Sequence, residues 1–325
     1  MRRRLRLLVV WSVVIWFITF CALFASDDTR TFLKSALIKI HHNSGGEYSL
    51  ASGARNGTRS NNKFIAWISN IAPNTTGASR EKDNEPVDLA VVDILVDTDA
   101  VLYLDVDTLF LAPPESLFIE LHKFDDNQLM GMAKENEDPA MSPYNWRRFQ
   151  AARPFYEPWG LNAGVILMNL TRMRAIQWSS LMWPILRQYE KQLVWDDQDI
   201  LNIFFHSHKD RLYLLDCTWN IRFDHCKKAS AKCKSAWKRG AHMVHGNRHA
   251  FDHNSTLAAL AFEALYNAFE RWPVDGDLRT GLLHPLERKL NELKAAHVRR
   301  ACAQQPEVFL KQLHVSVAEY GSKLG

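Results

Sequence analysis

Val101-Leu102-Tyr103-Leu104-Asp105-Val106-Asp107 sets an apolar run directly against two carboxylates in an Asp-x-Asp arrangement. The run predicts a strand, and at an extended strand end residues i and i+2 point the same way. Asp105 and Asp107 can therefore grip one hard divalent cation through oxygen and leave its other positions for phosphate. That is the chemistry of a sugar-nucleotide site. Asp97-Thr98-Asp99 repeats the pattern eight residues earlier without an apolar strand in front, and reads as a solvated turn.

Outward from this strand, composition sets the class. The chain has 325 residues, 47% hydrophobic and 23% charged, which suits one large or two small globular domains with a real core. Its formal charge is +4, and no long basic arm with interleaved aromatics is present, so no nucleic-acid partner is expected. The run Lys227, Lys228, Lys232, Lys234, Lys238 and Arg239 reads as a solvated charged loop. Eleven tryptophans suit a buried core and a carbohydrate platform equally well.

Arg2, Arg3, Arg4 and Arg6 precede an apolar stretch over residues 7–25, relieved by Ser12 and Thr19 and followed by Asp27 and Asp28. At about 1.5 Å rise per residue this stretch nearly spans a hydrocarbon layer of roughly 30 Å. A cleaved signal peptide has a shorter apolar region, of about 7 to 15 residues, and usually an A-x-A site; none follows here. The expectation is a cytosolic tail at 1–6, a signal-anchor at 7–25 and a lumenal body from Ser26 onward by the positive-inside rule, with a signal peptide as the alternative. Cys217, Cys226, Cys233 and Cys302 then predict one or two disulfides, with three connectivities if both form. A zinc site on His225, Cys226 and Cys233 has the wrong cysteine spacing. Sequons stand at Asn56, Asn74, Asn169 and Asn254, of which Asn169 closes a strand expected to be buried.

Residues 42–86 are rich in Gly, Ser, Asn and Thr and resemble a stem, broken by an apolar patch at 64–71. Beyond Pro86 strands and helices alternate. Helices are expected at 87–96, at 115–124 after Pro113-Pro114, and around 200–205; strands are expected at 101–105, 129–133, 164–168, 212–215 and 243–244. The tail shows helical spacing over 257–271, 283–298 and 308–320. This predicts an α/β fold with a mixed, mostly parallel sheet and ligands at strand C-terminal ends.

Three further clusters put small or polar groups against apolar elements: Leu161-Asn162-Ala163-Gly164, Trp195-Asp196-Asp197-Gln198-Asp199-Ile200-Leu201-Asn202 and His245-Gly246-Asn247-Arg248. Asn162 offers an amide that donates and accepts, as sugar hydroxyls require, and Ala163-Gly164 lets a ligand approach the backbone. Asp197 and Asp199 suit a helix N-terminus, yet capping gives no reason for Gln198 between them. His245 could complete a carboxylate-imidazole site of the kind Mn²⁺ accepts; a structural histidine is the plainer alternative.

Taken in order, VLYLDVDTLFL, GLNAGVILMNLTRMR, WDDQDILNIFFH, Cys217 to Asn220 with Asp224-His225-Cys226, and HGNR resemble glycosyltransferase family 8, and more closely its glucoside xylosyltransferase branch. The resemblance runs over residues 88–323. It implies a lumenal type II membrane enzyme of the Golgi or ER, with a GT-A-type fold, retaining, and dependent on a UDP-sugar and Mn²⁺. By it Asp105, Asp107 and His245 are the metal ligands, and Gly246 and Arg248 join the two aspartates in holding the UDP-sugar. Asn162, Asp197 and Gln198 line the sugar and acceptor. It also implies UDP-xylose as donor, and O-linked glucose on EGF-like repeats of Notch-type glycoproteins as acceptor.

In that family a first βαβ half precedes the Asp-x-Asp strand. Here residues 31–37 resemble its first helix, the family's basic residue seventeen positions before the first metal aspartate falls on Asp88, and the expectation is a truncated half: stem and remnant at 26–87, catalytic domain at 88–325. Two other readings stand beside this one. A non-catalytic relative could serve as a lumenal binding protein. Haloacid-dehalogenase-type phosphatases also open on strand-Asp-x-Asp, but they want Thr or Val where this chain has Leu109, and they leave Asn162 and His245 unexplained.

Overall fold

The computed structural model describes residues 46–51, 63–69, 87–146, 153–227, 232–252, 259–273, 276–296 and 302–321. The cytosolic tail, the membrane span at 7–25, the helix at 31–37 and the sequons Asn56, Asn74 and Asn254 lie outside them. Among the described residues no helix is long and apolar enough to cross a membrane.

The elements run β1 (Gly46–Ala51), β2 (Lys63–Ser69), α1 (Val87–Ile94), β3 (Ala100–Asp105), β4 (Thr108–Phe110), β5 (Met130–Lys134) and β6 (Leu161–Asn169). Helices α2 (Leu170–Ala175), α3 (Trp178–Tyr189) and α4 (Asp196–Ser207) precede β7 (Leu212–Leu214) and β8 (Ile221–Arg222). Then come α5 (Lys234–Arg239), β9 (Met243–His245), α6 (Leu260–Arg271), α7 (His284–Ala295) and α8 (Glu307–Gly321). The helix expected at 115–124 is one α-turn, Glu115–Phe118, that tightens into a 3-10 turn, Ile119–Lys123. The described residues fall into two compact units: those within 35–105 and 118–215, and those within 106–117 and 216–325.

The first unit is built on a six-stranded sheet in the order β1-β2-β3-β6-β5-β7. Within the stretch expected as stem and remnant, β1 and β2 are strands, and β2 runs parallel to β3 with Trp67 opposite Tyr103. The apolar patch at 64–71 carries β2. The sheet is mixed as expected, but not mostly parallel: β1–β2, β3–β6 and β5–β6 are antiparallel, β2–β3 and β5–β7 parallel. The continuous apolar run of β6 reports burial on both faces, and burial does not encode direction. Val101, Tyr103, Met130, Met132, Ile166 and Met168 join Val91, Trp178, Met182, Ile200 and Phe204 in one core. Each such side chain contributes roughly 1.5–3 kcal/mol on burial. Asn169 caps α2 by accepting from the Arg172 amide at 3.0 Å. Residues 97 and 99 lie in the turn before β3, where Asp99 accepts from Thr171 Oγ1 at 2.9 Å.

The second unit carries a three-stranded sheet, β4-β9-β8, with β4–β9 antiparallel and β8–β9 parallel. Helix α6 packs on α7, and α8 packs on α5. Disulfides join Cys217 to Cys233 and Cys226 to Cys302, which selects one of the three connectivities the sequence left open. Cys217 and Cys233 also stand near Asp216 as a group with metal-ligand spacing, but the disulfide takes both sulfurs.

Candidate functional site

In the first unit the sugar-type groups meet where β6 faces the start of α4. Asn162 is fixed by its own strand: Gly164 N–H donates to Asn162 Oδ1 at 3.1 Å, which turns Nδ2 toward Glu135 Oε2 at 2.8 Å and Gln198 Oε1 at 3.2 Å. Gln198 Oε1 also accepts from the Ala163 N–H at 3.0 Å. Asn162 and Gln198, read separately from the sequence, are thus one hydrogen-bonded pair. Asp197 is half-buried beside them in sequence, in the first turn of α4.

Beneath this pair lies a polar network that sequence reasoning passed over. Asp199 is wholly buried and accepts from Tyr144 Oη at 3.0 Å, Arg153 Nη2 at 2.6 Å, and the Val194 and Trp195 amides at 2.6 and 2.9 Å. Four donors match the roughly four lone-pair sites of a carboxylate. Asn202, one turn on, donates to Tyr144 Oη at 2.9 Å and to the carbonyls of Leu161 and Gln198, and accepts from the Leu161 amide at 2.8 Å. Burial, then the Asp199 charge, push the Tyr144 hydroxyl well above its ordinary range. The missed signal is that Asp199 and Asn202, three apart, sit on the same helix face as buried Ile203. Glu135 and Arg153 are far from that helix in sequence, and nothing local marks them.

The metal-type groups centre on the second unit. Thr108 pairs with His245 across β4 and β9, which sets Asp107 beside the histidine: Oδ1 to Nε2 is 3.3 Å. Asp105 closes β3 at the end of its stretch of the first unit, two residues before Asp107. His245 is buried, and its Nδ1 meets Asn220 Oδ1 at 3.1 Å. An Nδ1–H donated to that oxygen leaves Nε2 with a bare lone pair facing a carboxylate. A cation, either a proton or a metal ion, has to lie between them, and two carboxylates with an imidazole fit Mn²⁺ in donor type. Burial raises the Asp107 carboxyl, but the His245 charge and hydrogen bond outweigh it and hold the group below the usual carboxylate range.

The loop after β9 is shaped tightly. Gly246 N–H donates to the Asp107 carbonyl at 2.7 Å, and a Cβ on Gly246 would lie 2.2 Å from the Phe251 ring. Both the amide and the missing side chain of Gly246 are therefore engaged by the protein. Arg248, at φ 57°, places Nε 3.6 Å from Asp224 Oδ2. Burial pushes Asp224 up, but Arg248 and Lys227 outweigh it and the net shift is downward. Asn220 and Asp224 are further residues whose roles the sequence did not show.

Residues 89–249, which take in all of these groups, match the family described as glycosyl transferase family 8. Glucoside xylosyltransferase 1 of Gallus gallus is 38% identical over 237 residues, covering 70% of this chain and 52% of its own length. Glucoside xylosyltransferase 2 of Mus musculus is 38% identical over 231 residues, covering 68% of this chain and 50% of its own length. The chain spans about half the length of the curated relatives it matches. Among solved structures, apo mouse xyloside xylosyltransferase 1 is similar at 22% identity and a TM-score of 0.38, over 50% of this chain and 62% of that one.

Proposed function

Residues 89–249 of this chain match glycosyl transferase family 8, and on that premise we propose that the protein transfers xylose from UDP-xylose to a glucoside on a glycoprotein. The supporting observation is the 38% identity over 70% of the chain to glucoside xylosyltransferase 1 of Gallus gallus. The acceptor we propose is O-linked glucose on an EGF-like repeat, with retention at the anomeric carbon. The place we propose is the lumen of the Golgi or ER, with residues 7–25 as a type II anchor.

The residues divide the work by chemistry. Asp105, Asp107 and His245 would hold Mn²⁺, which when bound neutralises the UDP leaving group as the glycosidic bond breaks. Asn220 keeps the ligating nitrogen of His245 directed outward by holding the other nitrogen. Arg248 adds positive charge suited to a diphosphate, and Asp224 sets its position. Asn162, Gln198 and Asp197 would meet the sugar and acceptor. Asp199 is withheld from the reaction, because all its acceptor positions are taken by protein donors.

The test is a donor panel. With Mn²⁺ and a glucoside-bearing repeat, UDP release should depend on acceptor and be fastest with UDP-xylose among UDP-xylose, UDP-glucose, UDP-galactose and UDP-glucuronate. Acceptor-dependent release with another donor alone would refute the xylosyl assignment, and release with none would favour a non-catalytic relative.

A further inference from the structure

Tyr144 is buried near the sugar-type groups, and every hydrogen-bonding position of its hydroxyl is used. It donates to Asp199 Oδ1 at 3.0 Å and accepts from Asn202 Nδ2 at 2.9 Å and Gln198 Nε2 at 3.3 Å. A hydroxyl has one proton and two lone pairs, so the three bonds exhaust it. Their direction is not free. Asp199 already accepts from Arg153 and two backbone amides, and in this network it serves as acceptor, which draws the Tyr144 proton toward it. The lone pairs are then left for the two amides.

The far end of Gln198 is fixed as firmly. Its Oε1 accepts from the Ala163 backbone N–H at 3.0 Å, a donor that has no alternative role, and from Asn162 Nδ2 at 3.2 Å. Turning the amide over would set its NH₂ against the Ala163 N–H and its oxygen against the lone pairs of Tyr144. Both contacts forbid the flip. Among the described residues one hydrogen on Gln198 Nε2 remains uncommitted, and the side chain is only half-buried.

We propose that Tyr144 is a positioning residue for the transfer reaction: it locks Gln198 so that the substrate meets an amide N–H while the carbonyl stays turned inward onto β6. This deepens the glycosyl-transfer reading and rests on it for the identity of the substrate. The ring is seated for that purpose. It stacks on Phe155 at 5.2 Å, meets Trp195 edge-on at 5.1 Å, and lies against Gly160, whose φ of +69° and lack of Cβ make room for it; a Cβ there would stand 2.3 Å from Tyr144 Cδ2. An oxygen at Gln198 would support a developing positive charge on the sugar, whereas an N–H holds a hydroxyl or the departing phosphate oxygen. The lock therefore assigns Gln198 to orientation of the donor.

The test uses the full chain and two readouts. With glutamine side chains ¹⁵N-labelled, the Gln198 NH₂ signals, identified by their loss in Gln198→Ala, should show proton contacts to the Tyr144 ring in the wild type and shift in Tyr144→Phe. With Mn²⁺, UDP-xylose and a glucosylated repeat, Tyr144→Phe should lower kcat about tenfold with donor KM within about twofold. In a Gln198→Ala background the same change should move kcat by less than about twofold, since the route through Gln198 is already gone. Absence of the ring contacts in the wild type, or an equal loss of kcat in both backgrounds, would overturn the proposal, and the first needs no variant to fold. If the wild type transfers no sugar, the functional reading fails, while the amide signals still decide the lock.

Discussion

Asp107 and His245 face one another at 3.3 Å, carboxylate to ring nitrogen, while the second nitrogen of His245 is held by Asn220 at 3.1 Å. The ring that we propose as a metal ligand thus has its orientation settled by Asn220 before any ion arrives. Positioning of this kind removes the reorganisation that binding would otherwise require.

From that clamp comes the first expected outcome. Mn²⁺ at a hundredfold excess over its Kd should stabilise the wild type by about 2.7 kcal/mol. Asp107→Asn and His245→Ala should each lose most of that shift in a thermal melt while melting cooperatively without metal. An undiminished Mn²⁺ shift in both would place the ion elsewhere.

Folding stability should carry the mark of His225. Its ring is wholly buried, Nδ1 accepts from the Arg222 amide at 3.0 Å, and burial followed by the Arg222 charge lowers its pKa to about 3. The folded pKa lies below the unfolded one, so the unfolded chain takes up the proton first as pH falls. Stability from this group is full above about pH 6.5 and declines toward pH 3, with a slope approaching about 1.4 kcal/mol per unit. Urea unfolding at pH 7.5 and 5.0 should show the drop, and His225→Gln should reduce it; the same slope in both proteins would sink this assignment.

The disulfides should contribute unequally. Cys226–Cys302 closes 76 residues and Cys217–Cys233 closes 16. In the chain-entropy model the longer loop is worth about 4.5 kcal/mol and the shorter about 3. Unfolding of Cys302→Ala and Cys233→Ala should rank in that order, and the reverse ranking would show that local packing outweighs loop closure.

Much of this architecture was legible in the sequence, and the parts that were not share a physical cause. Strands β3 and β6 announce themselves because five and eight residues in a row are buried. β1, Gly-Glu-Tyr-Ser-Leu-Ala, has no continuous apolar run in its sequence, and strand direction leaves no trace in hydropathy. Asp105, Asp107 and His245 can be singled out in the sequence because their types state their chemistry. Asp199 and Arg153 form a buried pair 46 residues apart, and a charged residue whose partner is distant looks like any surface charge until the fold closes. Arg222 likewise occupies a two-residue strand while fully buried, against the habit of its residue type. The disulfide pairing, too, depends on distances that spacing does not supply.

Gly246 should prove intolerant for a packing reason. A methyl there meets the Phe251 ring at 2.2 Å, and the strand-end bond from Gly246 N to the Asp107 carbonyl leaves little room to shift. Gly246→Ala should destabilise by about 1–3 kcal/mol. Adding Phe251→Ala should recover part of the Mn²⁺ shift lost with Gly246→Ala. A double variant no better in Mn²⁺ response than Gly246→Ala alone would mean that the glycine is needed for a ligand and not for Phe251.

The most direct test of the central claim is mass-spectrometric detection of pentose added to a glucosylated EGF-like repeat by the full chain with UDP-xylose. The addition should require Mn²⁺, should fall at least about a hundredfold in Asp107→Asn, and should be absent on the same repeat lacking glucose. Pentose transfer that persists in Asp107→Asn, or no transfer by a folded wild type that binds Mn²⁺ and UDP, would contradict it.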